Sequence, residues 1–357
     1  MSQSKRILVA PLDWGLGHAT RCIPVVEALL KLGATPVVAA DEGPLQVLRE
    51  AFPTLEHHRL PGYRISYPKS GNMSWHLLWQ VPGLLKSIEQ EHDTLESWVG
   101  HLDLDGVISD NRYGLWSNQV PSVLITHQVF IRAPFLQKQL HKKTAEFLNA
   151  FSQVWVPDWP ETDNLSGALG HGIPPVEALH FIGPLSRFAG ISTNGSNKVS
   201  NEIVAVVSGP EPQRSLLEQL LEEQLQALQR PATLVCGRAL EDREATATGL
   251  LTKVAHLPAA ALGQKMAAAS IIVGRPGYST LMDLAALGKT ALVIPTPGQT
   301  EQEYLGKLHH GKHWHCVAQK ALDLESDLKQ LSALKPFRKY SDHGALEDRL
   351  RTWLAEL

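Results

Sequence analysis

Residues 274–303, GRPGYSTLMDLAALGKTALVIPTPGQTEQE, decide the fold that this sequence predicts. An apolar run over 269–273 leads into a Gly-Pro turn, a helical pattern that stops at Gly288, and a second apolar run over 290–295. Glycine just after the last residue at helical spacing is a common helix end. The stretch therefore predicts a strand, a helix and a second strand, followed by a polar loop.

The start of this predicted helix has the features of a phosphate site. Gly277, Tyr278, Ser279 and Thr280 occupy the first turn, where backbone N–H groups lack helical partners and the dipole is positive. Asp283 follows about one turn further on, where a carboxylate suits ribose hydroxyls.

The polar loop adds groups that suit a sugar. Glu301, Gln302 and Glu303 offer carboxylates and an amide to sugar hydroxyls. Phosphate, ribose and sugar sites in chain order indicate a nucleotide-sugar as the ligand. The alternative is an ordinary βαβ unit with a polar loop, because glycine-initiated helices often follow strands.

Length and composition predict a cytoplasmic α/β enzyme with two domains. The chain has 357 residues, 43% apolar and 19% charged, which suffices for two cores. A net charge of −3 without a basic stripe argues against a nucleic-acid partner. Three distant cysteines predict reduced thiols, and the apolar run near the N-terminus is too short for a signal peptide or membrane span.

The N-terminus repeats the strand–turn–helix pattern. The apolar run 6–11 precedes Gly15 and Gly17, and an amphipathic helix and a second strand follow, as in a doubly wound fold. Thr20 stands where a dinucleotide-binding fingerprint needs its third glycine, which argues against a dehydrogenase. His18 lies above the strand ends, where it suits a general base; a helix-capping or solvent-facing histidine is the alternative.

Polar residues follow two further strands. Asp110 comes after the apolar run 106–109, and His127 follows the run 122–126. The carboxyl ends of parallel strands share one edge, so His18, Asp110 and His127 are expected in one crevice. Asp110 is predicted to orient His18 or the acceptor hydroxyl.

The sequence predicts no metal and no cofactor. Asp103 and Asp105 precede a strand at its entry end, away from the expected crevice. His309 and His313 are four residues apart, but Gly311 interrupts the helix and no further ligand has suitable spacing.

Two segments concern the organisation of the chain. The aromatic stretch 63–86 suits an apolar acceptor or a membrane face, although packing on its own domain is the favoured interpretation. The polar stretch 187–201 is predicted to link a domain over 1–186 to a second over 202–335, followed by a C-terminal helix over 336–357. In the second domain, Gly209 and Arg214 follow the first strand and are candidates for the diphosphate.

These motifs resemble those of a known family. Gly15-Leu16-Gly17-His18, together with the run from Arg275 through Gln302, is similar to GT-B glycosyltransferases, nearest to the lipid II-forming N-acetylglucosaminyltransferases and the monogalactosyldiacylglycerol synthases. The resemblance implies two Rossmann-like doubly wound domains facing across a cleft. It also implies a metal-independent, inverting transfer from a UDP-sugar to a glycan or lipid hydroxyl, at a peripheral membrane site if the acceptor is a lipid.

The resemblance also assigns roles. It implies His18 as the base, residues 277–280 at the diphosphate, Asp283 in place of a longer ribose-binding glutamate, and 301–303 at the donor sugar. Three alternatives remain open. A UDP-sugar hydrolase of the same fold shares the pattern Gly-His-x-x-Arg-Cys at 17–22, a nucleotide-sugar epimerase would need paired carboxylates that are not evident, and a non-catalytic binding module would need neither His18 nor Asp110.

Overall fold

The chain folds as two halves, each of which alternates strands with helices. The structure, a computed structural model, describes residues 4–62, 73–130, 137–191, 200–238, 241 and 245–357. The N-terminal half contains β1 (Arg6–Pro11), α1 (Leu16–Lys31), β2 (Thr35–Ala40), α2 (Glu42–Ala51), β3 (Glu56–Arg59), α3 (Met73–His101), β4 (Gly106–Asp110), β5 (Ser122–Ile125), α4 (Gln137–Leu148), β6 (Gln153–Val156) and β7 (Leu179–Phe181). The C-terminal half contains β8 (Ser200–Val206), α5 (Gln213–Ala227), β9 (Ala232–Val235), β10 (Thr246–Thr248), β11 (Leu251–Val254), α6 (Ala259–Ala268), β12 (Ala269–Gly274), α7 (Tyr278–Leu287), β13 (Ala291–Val293), α8 (Thr300–Leu308), β14 (Trp314–Cys316), α9 (Leu324–Asp327) and α10 (Gly344–Glu356).

Each half is built on one sheet. Over the described residues the strand orders are β3-β2-β1-β4-β5-β6-β7 and β10-β11-β9-β8-β12-β13-β14. The first sheet is parallel in every pairing, and β10 with β11 is the antiparallel pair at the edge of the second. In both sheets the chain reverses its direction of winding beside the first strand, at β1/β4 and at β8/β12. A doubly wound sheet opens a ligand crevice at that point.

The strand register brings the polar loop residues together. Pro11 pairs with Asp110, and Asp110 pairs with Ile125, so β1, β4 and β5 end at the same level. β4 and β5 are buried throughout and β1 is buried over most of its length, which explains their continuous apolar sequences.

The last helix returns to the N-terminal half. On α10, Trp353 packs edge-to-face on Trp155 of β6, with ring centroids 5.9 Å apart. A Cβ added at Gly106 would lie 2.7 Å from the Trp353 ring, so β4 starts with a residue that leaves room for this helix. The sequence predicted this helix but left open which domain it contacts.

Two predicted segments fall partly outside the described residues. In the aromatic stretch, residues 63–72 lie outside them, and α3 begins at residue 73. In the expected linker, residues 192–199 lie outside, and β8 already begins at residue 200. Among the helices that the structure describes, none has both the length and the apolar character needed to cross a bilayer.

Candidate active site

The starts of two helices, one from each half, face each other across the crevice. α1 begins after Gly15, whose φ is 95°, and α7 begins after Gly277. Within the described residues neither start has a side-chain cap or an acidic residue in its first turn. A Cβ added at Gly17 would lie 2.4 Å from the Ser279 hydroxyl oxygen, which shows how closely the two starts approach. Their unpaired N–H groups and positive dipole ends favour an anion here.

A buried aspartate lies beside the first of these helices. Asp110 is fully buried at the end of β4, and its carboxylate accepts hydrogen bonds from Arg21 Nη2 and, at 2.7 Å, from Arg21 Nε. His18 Nδ1 is 3.4 Å from Asp110 Oδ2, and the Cys22 thiol donates to the same oxygen at 3.6 Å. Burial by itself would raise the pKa of Asp110, but Arg21 and His18 outweigh it and hold that pKa well below its usual range. The carboxylate is therefore ionised at neutral pH.

His127 connects this pair to the other half of the chain. The ring is 3% exposed, with Nδ1 3.2 Å from Arg21 Nη1 and Nε2 2.8 Å from Glu301 Oε1. It stacks on Tyr278 of α7 with ring centroids 4.0 Å apart, and the Tyr278 hydroxyl donates to the Pro157 carbonyl at 2.9 Å. Burial lowers the pKa of His127 despite the opposing effect of Glu301, so the ring is neutral at neutral pH.

The polar segment before and in α8 has a defined hydrogen-bond pattern. Glu301 also accepts from Gln128 Nε2 at 2.5 Å, so two residues of the N-terminal half hold its carboxylate. Burial would raise the pKa of Glu301, but chiefly His127 lowers it below the ordinary value. Gln302 Oε1 accepts from the Thr296 N–H at 2.8 Å, and within the described residues its amide N–H groups can still donate to a ligand.

Comparisons with known proteins show which proteins this chain is similar to. Residues 203–338 match the family model described as the glycosyltransferase family 28 C-terminal domain. A UDP-N-acetylglucosamine–N-acetylmuramyl-(pentapeptide) pyrophosphoryl-undecaprenol N-acetylglucosamine transferase from Methylobacterium sp. (strain 4-46) is 33% identical over 131 residues, 36% of this chain and 32% of that protein. One from Methylobacterium nodulans is 30% identical over 131 residues. The chain thus spans about a third of the length of these curated relatives.

Similar solved structures cover nearly the whole chain. Spinosyn forosaminyltransferase SpnP aligns with a TM-score of 0.58 and 15% identity, over 99% of this chain and 100% of its own. Acinetobacter baumannii MurG aligns at 0.55 and 12%, over 99% and 100%, and Arabidopsis thaliana UGT89C1 complexed with UDP-L-rhamnose at 0.60 and 14%, over 100% and 95%. The chain has the GT-B fold. The predicted two-domain α/β architecture is confirmed, and so is the resemblance to GT-B glycosyltransferases, including the lipid II-forming enzyme.

Within this GT-B frame, the structure brings most of the predicted site residues to the cleft. The residues that lie along the facing helix starts and strand ends of the two halves are Gly15, Gly17, His18, Asp110, His127, Gly277, Ser279, Thr280, Glu301 and Gln302. Glu303 lies beside them in α8 and accepts from the Gly298 N–H at 3.0 Å, which closes its own loop.

Asp283 lies elsewhere than expected for a ribose ligand. Its carboxylate is 8% exposed and accepts from the Ser186 hydroxyl at 2.5 Å, where the N-terminal half ends. Burial raises its pKa to about 6, and Arg187 offsets only part of this effect. The structure therefore corrects the expectation of an open carboxylate at this position.

The first loop of the C-terminal half is also different from the prediction. Gly209 has a φ of 106° in this loop, but the Glu211 carboxylate that follows it accepts from the Ser215 N–H at 3.2 Å. Arg214 pairs with the same carboxylate and donates to the Cys236 carbonyl at 3.1 Å. The start of α5 already has an anion on it, so this loop is not the open diphosphate site that the sequence suggested.

Three residues of the GT-B cleft stood in motifs of the sequence but were given no role in the predicted site. Arg21 belongs to the Gly-His-x-x-Arg-Cys pattern and lies one helical turn after His18, so both the pattern and the spacing were available signals. Gln128 directly follows His127. Arg275 is 1% exposed and donates to the carbonyls of Ile294 and Gln213, each at 3.0 Å, and burial lowers its pKa to about 10. It ties β13 to the start of α5 beneath the cleft.

The histidines near α8 have other partners. His309 Nε2 lies 3.0 Å from the Leu165 carbonyl, and His315 Nε2 lies 3.0 Å from Asp327 Oδ1. Over the described part of the chain, no three histidine, cysteine or acidic side chains are grouped as metal ligands.

Proposed function

We propose that this protein is a metal-independent, inverting glycosyltransferase that moves a sugar from a UDP-linked donor to an acceptor hydroxyl. The observation that carries the proposal is that the His18–Asp110 pair and Glu301, which belong to different halves, lie in the same cleft. His18 Nδ1 is 3.4 Å from the Asp110 carboxylate, and Glu301 Oε1 is 2.8 Å from His127 Nε2. A base and a sugar-binding acid then face one space from opposite sides.

The base is His18. An ionised carboxylate only accepts hydrogen bonds, so the Nδ1 of His18 that faces Asp110 carries the proton. Nε2 then presents a lone pair that can take the proton of an acceptor hydroxyl. The resulting oxygen attacks the anomeric carbon opposite the leaving group, and one such displacement inverts the configuration.

The leaving diphosphate gains negative charge as the glycosidic bond breaks. The unpaired N–H groups at the starts of α1 and α7 are already oriented toward the cleft, so they stabilise that charge without reorganisation. We assign to these two helix starts the charge stabilisation that a metal provides in other transferases.

The relatives support the class of donor and acceptor. The curated relatives are named for UDP-N-acetylglucosamine and an undecaprenol-linked acceptor, and one similar structure was solved with UDP-L-rhamnose. Another was solved with thymidine diphosphate, so a dTDP-sugar is the second candidate donor. We propose a glycan or lipid-linked acceptor, and for a lipid acceptor a cytoplasmic protein bound at the membrane face.

A nucleotide panel followed by turnover measurements tests the proposal. We expect UDP to raise the melting temperature selectively, with or without magnesium; a micromolar ligand at millimolar concentration adds roughly 4 kcal/mol. A panel of UDP-sugars, with and without lipid and glycan acceptors, then gives UDP release and the anomeric configuration of the product by NMR.

The outcomes separate the alternatives. UDP release with free sugar as the product, independent of acceptor, identifies a hydrolase. Binding of UDP-sugars without any turnover identifies a non-catalytic module. If no nucleotide shifts the melting temperature, the α7 region is an ordinary βαβ unit and the proposal is wrong.

A further inference from the structure

The two histidines of the cleft have neighbours of opposite charge at Nδ1. The Nδ1 of His18 faces the Asp110 carboxylate at 3.4 Å, whereas the Nδ1 of His127 faces the Arg21 guanidinium at 3.2 Å. A carboxylate can only accept a hydrogen bond and a guanidinium can only donate one. The two rings must therefore carry their protons on different nitrogens, His18 on Nδ1 and His127 on Nε2.

The proton on His127 has a specific destination. Its Nε2–H donates to Glu301 Oε1 at 2.8 Å, beside the bond from Gln128 to the other carboxylate oxygen. A proton on Nδ1 would instead point at the N–H groups of Arg21, and a lone pair on Nε2 would face the lone pairs of Glu301. Both contacts are repulsive, so Arg21 at Nδ1 and Glu301 at Nε2 favour the same tautomer.

We propose that Arg21 is the positioning residue of this site, which fixes His127 as an Nε2–H donor to Glu301 and leaves His18 alone with a lone pair for the acceptor hydroxyl. The inference rests on the proposed function of the same site. It adds that one buried cation assigns different tasks to two histidines, one at the base and one behind the donor-sugar acid.

The geometry requires arginine rather than any cation. Arg21 is 2% exposed, and it directs Nε and Nη2 to the two oxygens of Asp110 while Nη1 reaches His127. Lysine has one nitrogen, which cannot serve two acceptors on opposite sides in this fixed planar arrangement.

The other titratable groups near Arg21 are consistent with these tautomers of His18 and His127. Cys22 and Tyr278 remain neutral, since burial raises the pKa of each well above its usual value. Tyr113 is also neutral, with its pKa raised to about 12 by burial. Among the described residues, the carboxylates of Asp110 and Glu301 are thus the anions that act on Arg21.

The tautomers can be measured directly. We expect ¹H–¹⁵N NMR of histidine-labelled protein near neutral pH to show His127 protonated on Nε2 alone. The His127 signals are assigned as those that disappear in the single variant His127→Gln. In Arg21→Met protein the His127 signals should shift toward the doubly protonated ring, because its Nδ1 no longer meets a donor. Arg21→Met/Asp110→Asn is the second variant, since removing both charges avoids a lone buried carboxylate. A wild-type His127 protonated on Nδ1 overturns the proposal.

Two substitutions of His127 provide the functional readout. The glutamine amide reaches the position of Nε2–H, so His127→Gln should keep the KM for the donor sugar within about threefold, whereas the shorter His127→Asn should raise it roughly tenfold. Both should keep kcat within a few-fold and leave UDP affinity unchanged. A loss of kcat by orders of magnitude in both variants would identify His127 as the base and contradict the inference. The NMR result does not depend on turnover, so it stands even if the transferase proposal fails.

Discussion

Two buried aspartates, one in each half, make an instructive comparison. Asp110 is fully buried and Asp283 is 8% exposed, and the sequence placed both in the active site. Around Asp110, an arginine fork and a histidine overcome the effect of burial and hold its pKa well below the usual range. Around Asp283, burial dominates and raises the pKa to about 6, with a serine hydroxyl and the nearby Arg187 only partly offsetting it.

The difference shows that burial alone does not identify a functional carboxylate. Asp110 ends a strand at the crevice and contacts the predicted base, whereas Asp283 lies on the side of α7 that meets Ser186. A carboxylate fixed as an anion can orient a proton-transfer group. A carboxyl group whose pKa is raised to about 6, and which its neighbours close off, contributes mainly to the pH dependence of stability.

The substitution with the largest expected effect tests whether His18, the neighbour of Asp110, takes part in catalysis. His18→Ala should lower kcat by about 10²–10⁴-fold, because it removes the proposed general base, while the Kd for UDP stays within about threefold. Turnover assays and calorimetric titration of UDP measure the two quantities. His101→Ala, on an exposed histidine at the end of α3, is the matched control and should leave both unchanged. Full activity in His18→Ala would remove the catalytic assignment of Asp110 as well.

The same substitution at the two aspartates should change stability in opposite directions. Asp110→Asn leaves the Arg21 guanidinium buried without its counter-charge, and breaking a buried pair in this way costs roughly 3–5 kcal/mol. Asp283→Asn removes an unfavourable buried charge and should stabilise the protein at pH 8. Urea unfolding of both variants at pH 8 gives the comparison, and destabilisation of equal size in both would contradict it.

The pH dependence sharpens the same contrast. Since the folded pKa of Asp283 is raised from 3.8 to about 6, the folded state binds the proton more tightly, and stability falls as pH rises from about 4 to about 6. The shift corresponds to roughly 3 kcal/mol, which Asp283→Asn should recover above pH 6 and not near pH 4. The depressed pKa of Asp110 has the opposite sign, so its stabilisation is present above about 4 and lost on acidification. Melting temperatures at pH 4, 6 and 8 test both slopes.

Much of the fold follows from the sequence because parallel strands buried on both faces are continuous apolar runs. β1, β4 and β12 are recognised in this way, and glycines 33 and 288 end the helices that follow β1 and β12. His18 and Asp110 were predicted to meet because strand order places both at the same sheet edge.

The side-chain contacts could not be predicted in the same way. Arg21 reaches Asp110 and His127 through a long flexible side chain, and no local pattern specifies where such a side chain ends. Asp283 follows Tyr278 by five residues, so a rotation of about 100° per residue turns it toward the Ser186 side of α7. The self-capping of α5 was visible in principle, since Glu211 stands just before the helix start.

Substitution of the capping residue Glu211 should have the smallest effect on stability. It compares a helix start that already has an acid, that of α5, with the starts of α1 and α7. Glu211 accepts from the Ser215 N–H and hydroxyl at 3.2 and 2.9 Å, while the starts of α1 and α7 have no such acid in the described structure. Because Glu211 is half exposed, Glu211→Gln should cost only about 0.5–1 kcal/mol of stability. UDP affinity should stay within about twofold, as in the matched variant Glu241→Gln, since we propose that the diphosphate binds at α7. A severalfold rise in UDP affinity in Glu211→Gln alone would instead place the phosphate at α5, because only a nearby ligand anion gains from removal of that charge.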